Sequence, residues 1–293
     1  MLRSGLMAAA LARALAGSAA AAPAPTAAPE TAVDELTVEA NRRARDKIVS
    51  EFIGDYVTES PSEQVTRWSE NICPQTSGLP GVLNDMVTAR VREIAATVGA
   101  PAKADADCRP NLFIVFAVDP QAVIDNVRRK VPEALGFHYV HDRRKISRVV
   151  RPVQAWYATE TEDLNGFKEL DTSEFSGTRH VLGTRLSQGW RSGLASVIVT
   201  VDLNALGGSD LGALSDYIAM LALSQMNAPE TCKPLPSIAN LMSTDCGPER
   251  KTAAITESDL AYLKAVYWMN PTKFINGQRG DIAFRMKQLL DGR

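Results

Sequence analysis

The chain has 293 residues, 45% hydrophobic and 23% charged, the proportions of a globular protein with a sizeable core. Its 32 basic and 34 acidic residues leave a formal net charge of −2. That balance excludes a global charge bias toward nucleic acid or an anionic membrane.

The N-terminus reads as a targeting segment. Arg3 supplies a positive start, Leu6 to Leu15 is mostly Ala, Leu and Met, and Gly17-Ser18-Ala19-Ala20-Ala21-Ala22 offers small-x-small cleavage positions. Residues 1–22 are therefore expected to be a cleaved signal peptide, with Arg13 the one residue out of pattern. Residues 23–34, rich in Ala and Pro, are expected to be a disordered tether. Residues 35–293 are expected to form a single domain. No later stretch is long and apolar enough to span a bilayer, so the mature protein is placed in the periplasm or outside the cell. The four cysteines, Cys73, Cys108, Cys232 and Cys246, form no CxxC pair and allow three pairings. Locality favours Cys73–Cys108 and Cys232–Cys246, bridges at home in an oxidising compartment.

Structure is expected from Glu35. Leu36, Val38 and Ala40 alternate with polar residues as in a half-buried strand, and Asn41 would cap a helix carrying Ile48, Val49, Phe52, Ile53 and Tyr56. Val82–Val98 is a clear amphipathic helix stopped at Gly99. Asn111–Val118 is apolar on both faces and should be central in its sheet. Asp119-Pro120 opens a helix with Pro120 in its first turn. Val149–Thr159 reads as a strand put at an edge by Pro152. Leu194–Leu203 is a third strand, followed by a helix over Ser209–Gln225. Thr256 caps a helix to Trp268, and Asp281–Leu290 is a last short helix. Helices and strands mix without regular βαβ alternation, so the fold class is α+β, a mixed sheet with packed helices.

Two resemblances follow from these elements. From about residue 35 to 120, the order LTVEA, VTRWSENICPQTSGL, a helix with a VREIA core and CRPNLFIVFAVDP resembles an uncharacterised family of exported alphaproteobacterial proteins. That likeness implies export and a Cys73–Cys108 bridge, and no activity. Residues 197–268 are similar to the metzincin zinc peptidases: a strand VIVTVDL, a helix LSDYIAMLALSQ, a Met-containing loop and a helix TESDLAYLKAVYW. On the pattern HExxHxxGxxH, Ser215 stands at the first His, Asp216 at the Glu, Ala219 at the second His, Ala222 at the Gly and Gln225 at the third His. Met242 falls at the Met-turn, and Ile255, Asp259, Leu263 and Tyr267 match the final helix. A catalytic zinc needs three good protein ligands and an open water position. Ser215, Ala219 and Gln225 do not supply them, so the resemblance implies a non-catalytic relative without metal or cofactor. The competing reading needs no such ancestry: Ser215, Ala219 and Ala222 form a stripe of small side chains that lets a neighbour approach closely.

Other chemistry is sparse. The three histidines are His138, His141 and His180, and no spacing specifies a three-His site. There is no G-x-S-x-G elbow, no P-loop and no G-x-G-x-x-G. Arg128, Arg129, Lys130, Arg143, Arg144, Lys145, Arg148 and Arg151 lie in a short span with only Glu133 and Asp142 among them. They read either as a surface for an anionic partner, such as lipopolysaccharide or an acidic envelope protein, or as a solvated face. Trp156 and Tyr157 read as core packing or as part of a strand edge that accepts a partner strand. The sequence thus points to an exported binding or scaffolding protein. The alternative is a hydrolase with its site near His180 and Ser192.

Overall fold

A computed structural model describes residues 30–102, 108–172, 183–185, 187–206, 208, 210–226, 231–233 and 235–292. The expected leader, tether residues 23–29 and His180 lie outside them. The fold is α+β. By compactness the chain divides at Asn41/Arg42, and the description below concerns the unit from Arg42 onward unless stated.

Helix α1 runs over Glu30–Tyr56 without a break. The expected strand at Leu36–Ala40 and the helix start at Asn41 are both corrected, and tether residues 30–34 are helical. Leu36 and Ala40, read as alternation, are also one helical turn apart, and the surrounding Glu, Ala and Arg are good helix formers. The helix then delivers Val49, Phe52 and Tyr56 to the core, where the two rings meet Tyr262.

Five strands form one sheet in the order β1-β2-β5-β3-β4. They are β1 (Pro74–Ser77), β2 (Leu112–Ala117), β3 (Val153–Asp163), β4 (Lys168–Leu170) and β5 (Trp190–Asp202). The first three in spatial order are parallel; β3 runs antiparallel to β5, and β4 antiparallel to β3. β2 is interior, between β1 and β5, while the middle strand is β5.

The period-2 alternation of the strands separates two cores. Leu112, Ile114 and Phe116 of β2, Val197, Val199 and Val201 of β5, and Val153 of β3 face the larger one. Phe113, Ile198 and Trp156, the residues between, face the smaller. The larger core is closed by α1, α2 (Gly81–Thr97), α5 (Leu211–Leu223), α6 (Glu257–Trp268) and α7 (Ile275–Leu290). The smaller lies under α3 (Pro120–Lys130), the 3₁₀ turn Pro132–Leu135 and the short α4 (Arg143–Ile146). Helix α7 begins six residues earlier than its expected start at Asp281, because Gln278 is fully buried and accepts from the Val65 amide at 2.7 Å.

The edge expectation for β3 is half corrected. The strand starts after Pro152, pairs with β5 along its length, and carries β4 only on Glu160–Glu162. Among the described residues no strand covers the outer side of Val153–Ala158. The Asp202 amide donates to the Pro152 carbonyl, so even-numbered residues up to Ala158 face β5 and the amides of Val153, Ala155 and Tyr157 point outward. Cys73–Cys108 and Cys232–Cys246 are both disulfide-bonded, with Cα–Cα distances of 5.7 and 5.0 Å. Closing loops of these lengths stabilises by about 3 kcal/mol or somewhat more through chain entropy.

Candidate functional site

Helix α5 is the element with the most suggestive sequence, and its Ser215 and Asp216 side chains and its last carbonyls are engaged in holding the fold. Asp210 caps its start by accepting from the Ala213 amide at 2.9 Å. Every residue from Ala213 to Leu223 is buried. A buried helix end leaves four carbonyls without partners. Here each has a side-chain donor. Met220 O accepts from Ser224 Oγ at 3.2 Å and Leu221 O from the Tyr157 hydroxyl at 2.9 Å. Ala222 O accepts from Trp68 Nε1 at 2.8 Å and Leu223 O from the Tyr267 hydroxyl at 2.6 Å. Two residues beyond, the Thr58 hydroxyl donates to Gln225 O. Burial pushes the Tyr157 and Tyr267 phenols well above their ordinary range, so both stay protonated donors.

The positions expected from the peptidase pattern can now be placed. The Ser215 hydroxyl bonds back to Leu211 O at 2.6 Å, within its own helix. Asp216 is 2% exposed. Its Oδ1 accepts from Arg90 Nε at 2.6 Å, and its Oδ2 from Arg90 Nη2 at 3.1 Å and from the Ile255 amide at 2.8 Å. Both oxygens are therefore occupied by a fork-shaped ion pair that ties α5 to α2 and to the entrance of α6. Hydrogen bonds to Asp216 and then to Glu93 hold the Arg90 guanidinium above its already high range. Ala219 and Ala222 are fully buried, and α2 packs along the helix that carries them.

Met242 is half-buried and packs against the larger core, just beyond the 3₁₀ turn Ile238–Asn240 that touches α5. Asp259 anchors that turn. It accepts from Ser237 Oγ at 2.5 Å, from the Ile238 amide at 3.0 Å and from the Thr256 amide at 2.9 Å, while Thr256 and Asp259 form a capping box at the start of α6. Burial pushes the Asp259 carboxyl above the usual range against the pull of these bonds.

Gln225 differs from its neighbours. It is half-buried, and its side-chain Oε1 is buried with no hydrogen-bond partner among the described residues. It lines a cleft of about 420 Å³ together with Ala155, Tyr157, Phe137, Gly136 and Glu59. The open edge of β3 thus forms one wall. Gly136 is required there: at φ +87° a Cβ would stand 2.2 Å from the Tyr157 carbonyl. Trp156 turns the other way, is buried in the smaller core and donates to Ile146 O at 2.7 Å.

The remaining candidates separate. Ser192 is buried, with its hydroxyl 2.9 Å from that of Thr66, beside a second cavity of about 260 Å³ lined by Arg67, Arg191 and Tyr267. Arg67 Nη1 donates to Val266 O at 3.0 Å and to Met269 O at 3.1 Å at the end of α6, and Arg191 forms a two-pronged pair with Glu162. His138 meets Gly136 O at 2.6 Å and Arg143 at 3.4 Å, whereas His141 is exposed, stacked on Tyr139 and beside Asp142. The two histidines serve different partners. Among the described residues no group of three His, Cys, Asp or Glu side chains is placed to hold a metal ion.

Of the eight basic residues, those of α3 and α4 lie on the smaller-core side, whereas Arg151 lies near Tyr157 and Tyr217 of the larger core. Gln121 of α3 donates to Ser147 O at 2.9 Å and accepts from the Val149 amide at 2.9 Å, fastening α3 to the segment after α4. Arg128 pairs with Asp125 at 3.0 Å; Arg129, Lys130, Arg144, Lys145 and Arg148 are exposed. Two features escaped the sequence: the aromatic donors at the end of α5 and the cleft at Gln225. Trp68, Tyr157 and Tyr267 lie far apart in the chain and carry no local signal of a shared target. No family model, curated protein or solved structure matches this chain.

Proposed function

We propose that this is an exported, non-catalytic binding protein of the bacterial envelope. Its C-terminal half is a degenerate metzincin-like peptidase, and its cleft at Gln225 takes an extended segment of another polypeptide along the open edge of β3. The single observation that carries this reading is that cleft. It joins outward-facing backbone amides of β3, which can form a ladder with an added strand, to exposed Phe137 and an unpaired buried amide oxygen at Gln225. The engagement of Asp216 with Arg90 and Ile255 supports a structural rather than catalytic α5. The two disulfides fit an oxidising compartment, and no helix among the described residues is long and apolar enough to cross a membrane.

The test is fluorescence-polarisation titration with pooled extended peptides. Saturable binding is expected, weakened at least tenfold by Ala155→Pro, which removes an outward amide while leaving the ladder to β5. Binding indifferent to that change, in a variant with an unaltered melting curve, would overturn the reading. So would turnover of peptides or esters abolished by Ser192→Ala, which would instead establish a hydrolase at that serine.

A further inference from the structure

The lobe over the smaller core combines two surface properties. The segment from Val140 to Arg148 winds as one continuous stretch: a 3₁₀ turn over Val140–Asp142, then α4, then backbone bonds from Ser147 to Arg143 O and from Arg148 to Lys145 O. Val140, Arg144 and Arg148 lie along this segment. All three are exposed, while Ile146 and Val149 turn inward to the smaller core. Along the same stretch and at its two ends, Tyr139 is 56% exposed, Val140 64% and Val150 72%. Gln121, in the first turn of α3, fastens that end of the helix to the segment, while Arg129 and Lys130 are exposed in the last turn, about 12 Å further along the helix. The acids nearby are few: Glu133 is exposed, Asp125 is paired to Arg128, and Asp142 lies 3.3 Å from His141.

We propose that this lobe docks on the surface of an anionic phospholipid bilayer, with Tyr139, Val140 and Val150 entering the boundary between headgroups and acyl chains. Arg144, Lys145 and Arg148 then meet the lipid phosphates. A nucleic acid or an acidic protein would match the charges but leave the three apolar side chains in water; the headgroup boundary satisfies both. The inference is independent of peptide binding. It joins it at Phe137, which rims the cleft and packs against Tyr139 with ring centroids 5.5 Å apart. Docking would therefore hold the cleft close to the membrane.

The experiment is co-sedimentation of the full chain with phosphatidylcholine vesicles, with and without phosphatidylglycerol. Binding should require phosphatidylglycerol and weaken as salt shortens the range of the charges. The triple change Arg144→Glu, Lys145→Glu and Arg148→Glu should lower it by about a hundredfold or more. Tyr139→Ser with Val140→Ser, which keeps every charge, should lower it by about tenfold. Circular dichroism and melting curves of both variants should match the parent, separating lost docking from lost folding. Equal binding to pure phosphatidylcholine, undiminished binding of the triple variant, or binding to heparin or polyglutamate without binding to vesicles would each overturn the proposal.

Discussion

On one face of the sheet, α5 buries Ala213–Leu223 and matches its last four carbonyls to donors from Ser224, Tyr157, Trp68 and Tyr267. On the other, α3 and α4 cover four buried side chains, Ile124, Leu135, Trp156 and Ile198, and leave five basic residues in solvent. Both regions contain groups that sequence alone would nominate for function. The difference lies in what those groups touch. A polar group with every valence matched inside the protein is part of the fold; one facing water is available to a partner. By that criterion Asp216 belongs to the architecture, while Arg144, Arg148 and the outward amides of Ala155 and Tyr157 at the cleft remain available.

The most severe way to probe the buried side is Trp68→Ala. Trp68 is among the largest fully buried side chains and is the donor to Ala222 O, so its loss should cost about 3–5 kcal/mol in urea unfolding. A cost below about 1 kcal/mol would mean that α5 is not fastened as described. Asp216→Ala should come next, at about 3 kcal/mol, since three hydrogen bonds to a buried carboxylate disappear together. Arg90 is a third exposed and can rehydrate, which keeps the loss below that of a fully buried pair. A neutral outcome would reopen Asp216 as a functional carboxylate.

Much of this frame was legible in the sequence, and the reasons are local. Strands β2 and β5 announce themselves as apolar runs, α2 by its period, α3 by Asp119-Pro120, and α6 by Thr256 with Asp259 three residues on. The N-terminal strand misled because five residues of alternation also satisfy a helical turn at Leu36 and Ala40. The short strands β1 and β4 had no signal, because four and three residues cannot display a period. The Gln225 cleft is assembled from segments around residues 59, 136, 156 and 225, whose meeting is set by the sheet order. The basic lobe was visible as charge, but its exposed apolar tip was not, since Tyr139 and Val140 read equally well as core.

Two smaller tests sharpen the account of how α5 is held. Asp259 has its carboxyl pushed up by burial. A group raised on folding adds stability that is complete below the ordinary carboxyl value of about 3.9 and fades as pH rises through its folded value. Chemical denaturation of the parent and of Asp259→Asn across pH should therefore show the parent's advantage greatest in acid and shrinking toward neutrality. An advantage that grows toward neutral pH would mean that the hydrogen bonds from Ser237, Ile238 and Thr256 outweigh burial. Tyr267→Phe removes one hydroxyl and leaves the Leu223 carbonyl unpaired, for an expected loss of about 1–2 kcal/mol.

The smallest expected effect bears most directly on the contrast between the two faces. Arg144 and Arg148 are exposed, and among the described residues neither forms an ion pair with a carboxylate. Replacing both with Ala should change unfolding free energy by less than about 0.5 kcal/mol, because neither side chain fills a cavity nor satisfies a buried group. Thermal melts at low and high salt would check this, since the charge crowding around Lys145 should make the double variant slightly more stable at low salt. A loss above about 1 kcal/mol would place these arginines in the fold alongside Asp216 and remove the distinction on which the docking lobe depends. An unchanged melt combined with lost vesicle binding is the pairing of results that a surface kept for a partner must give.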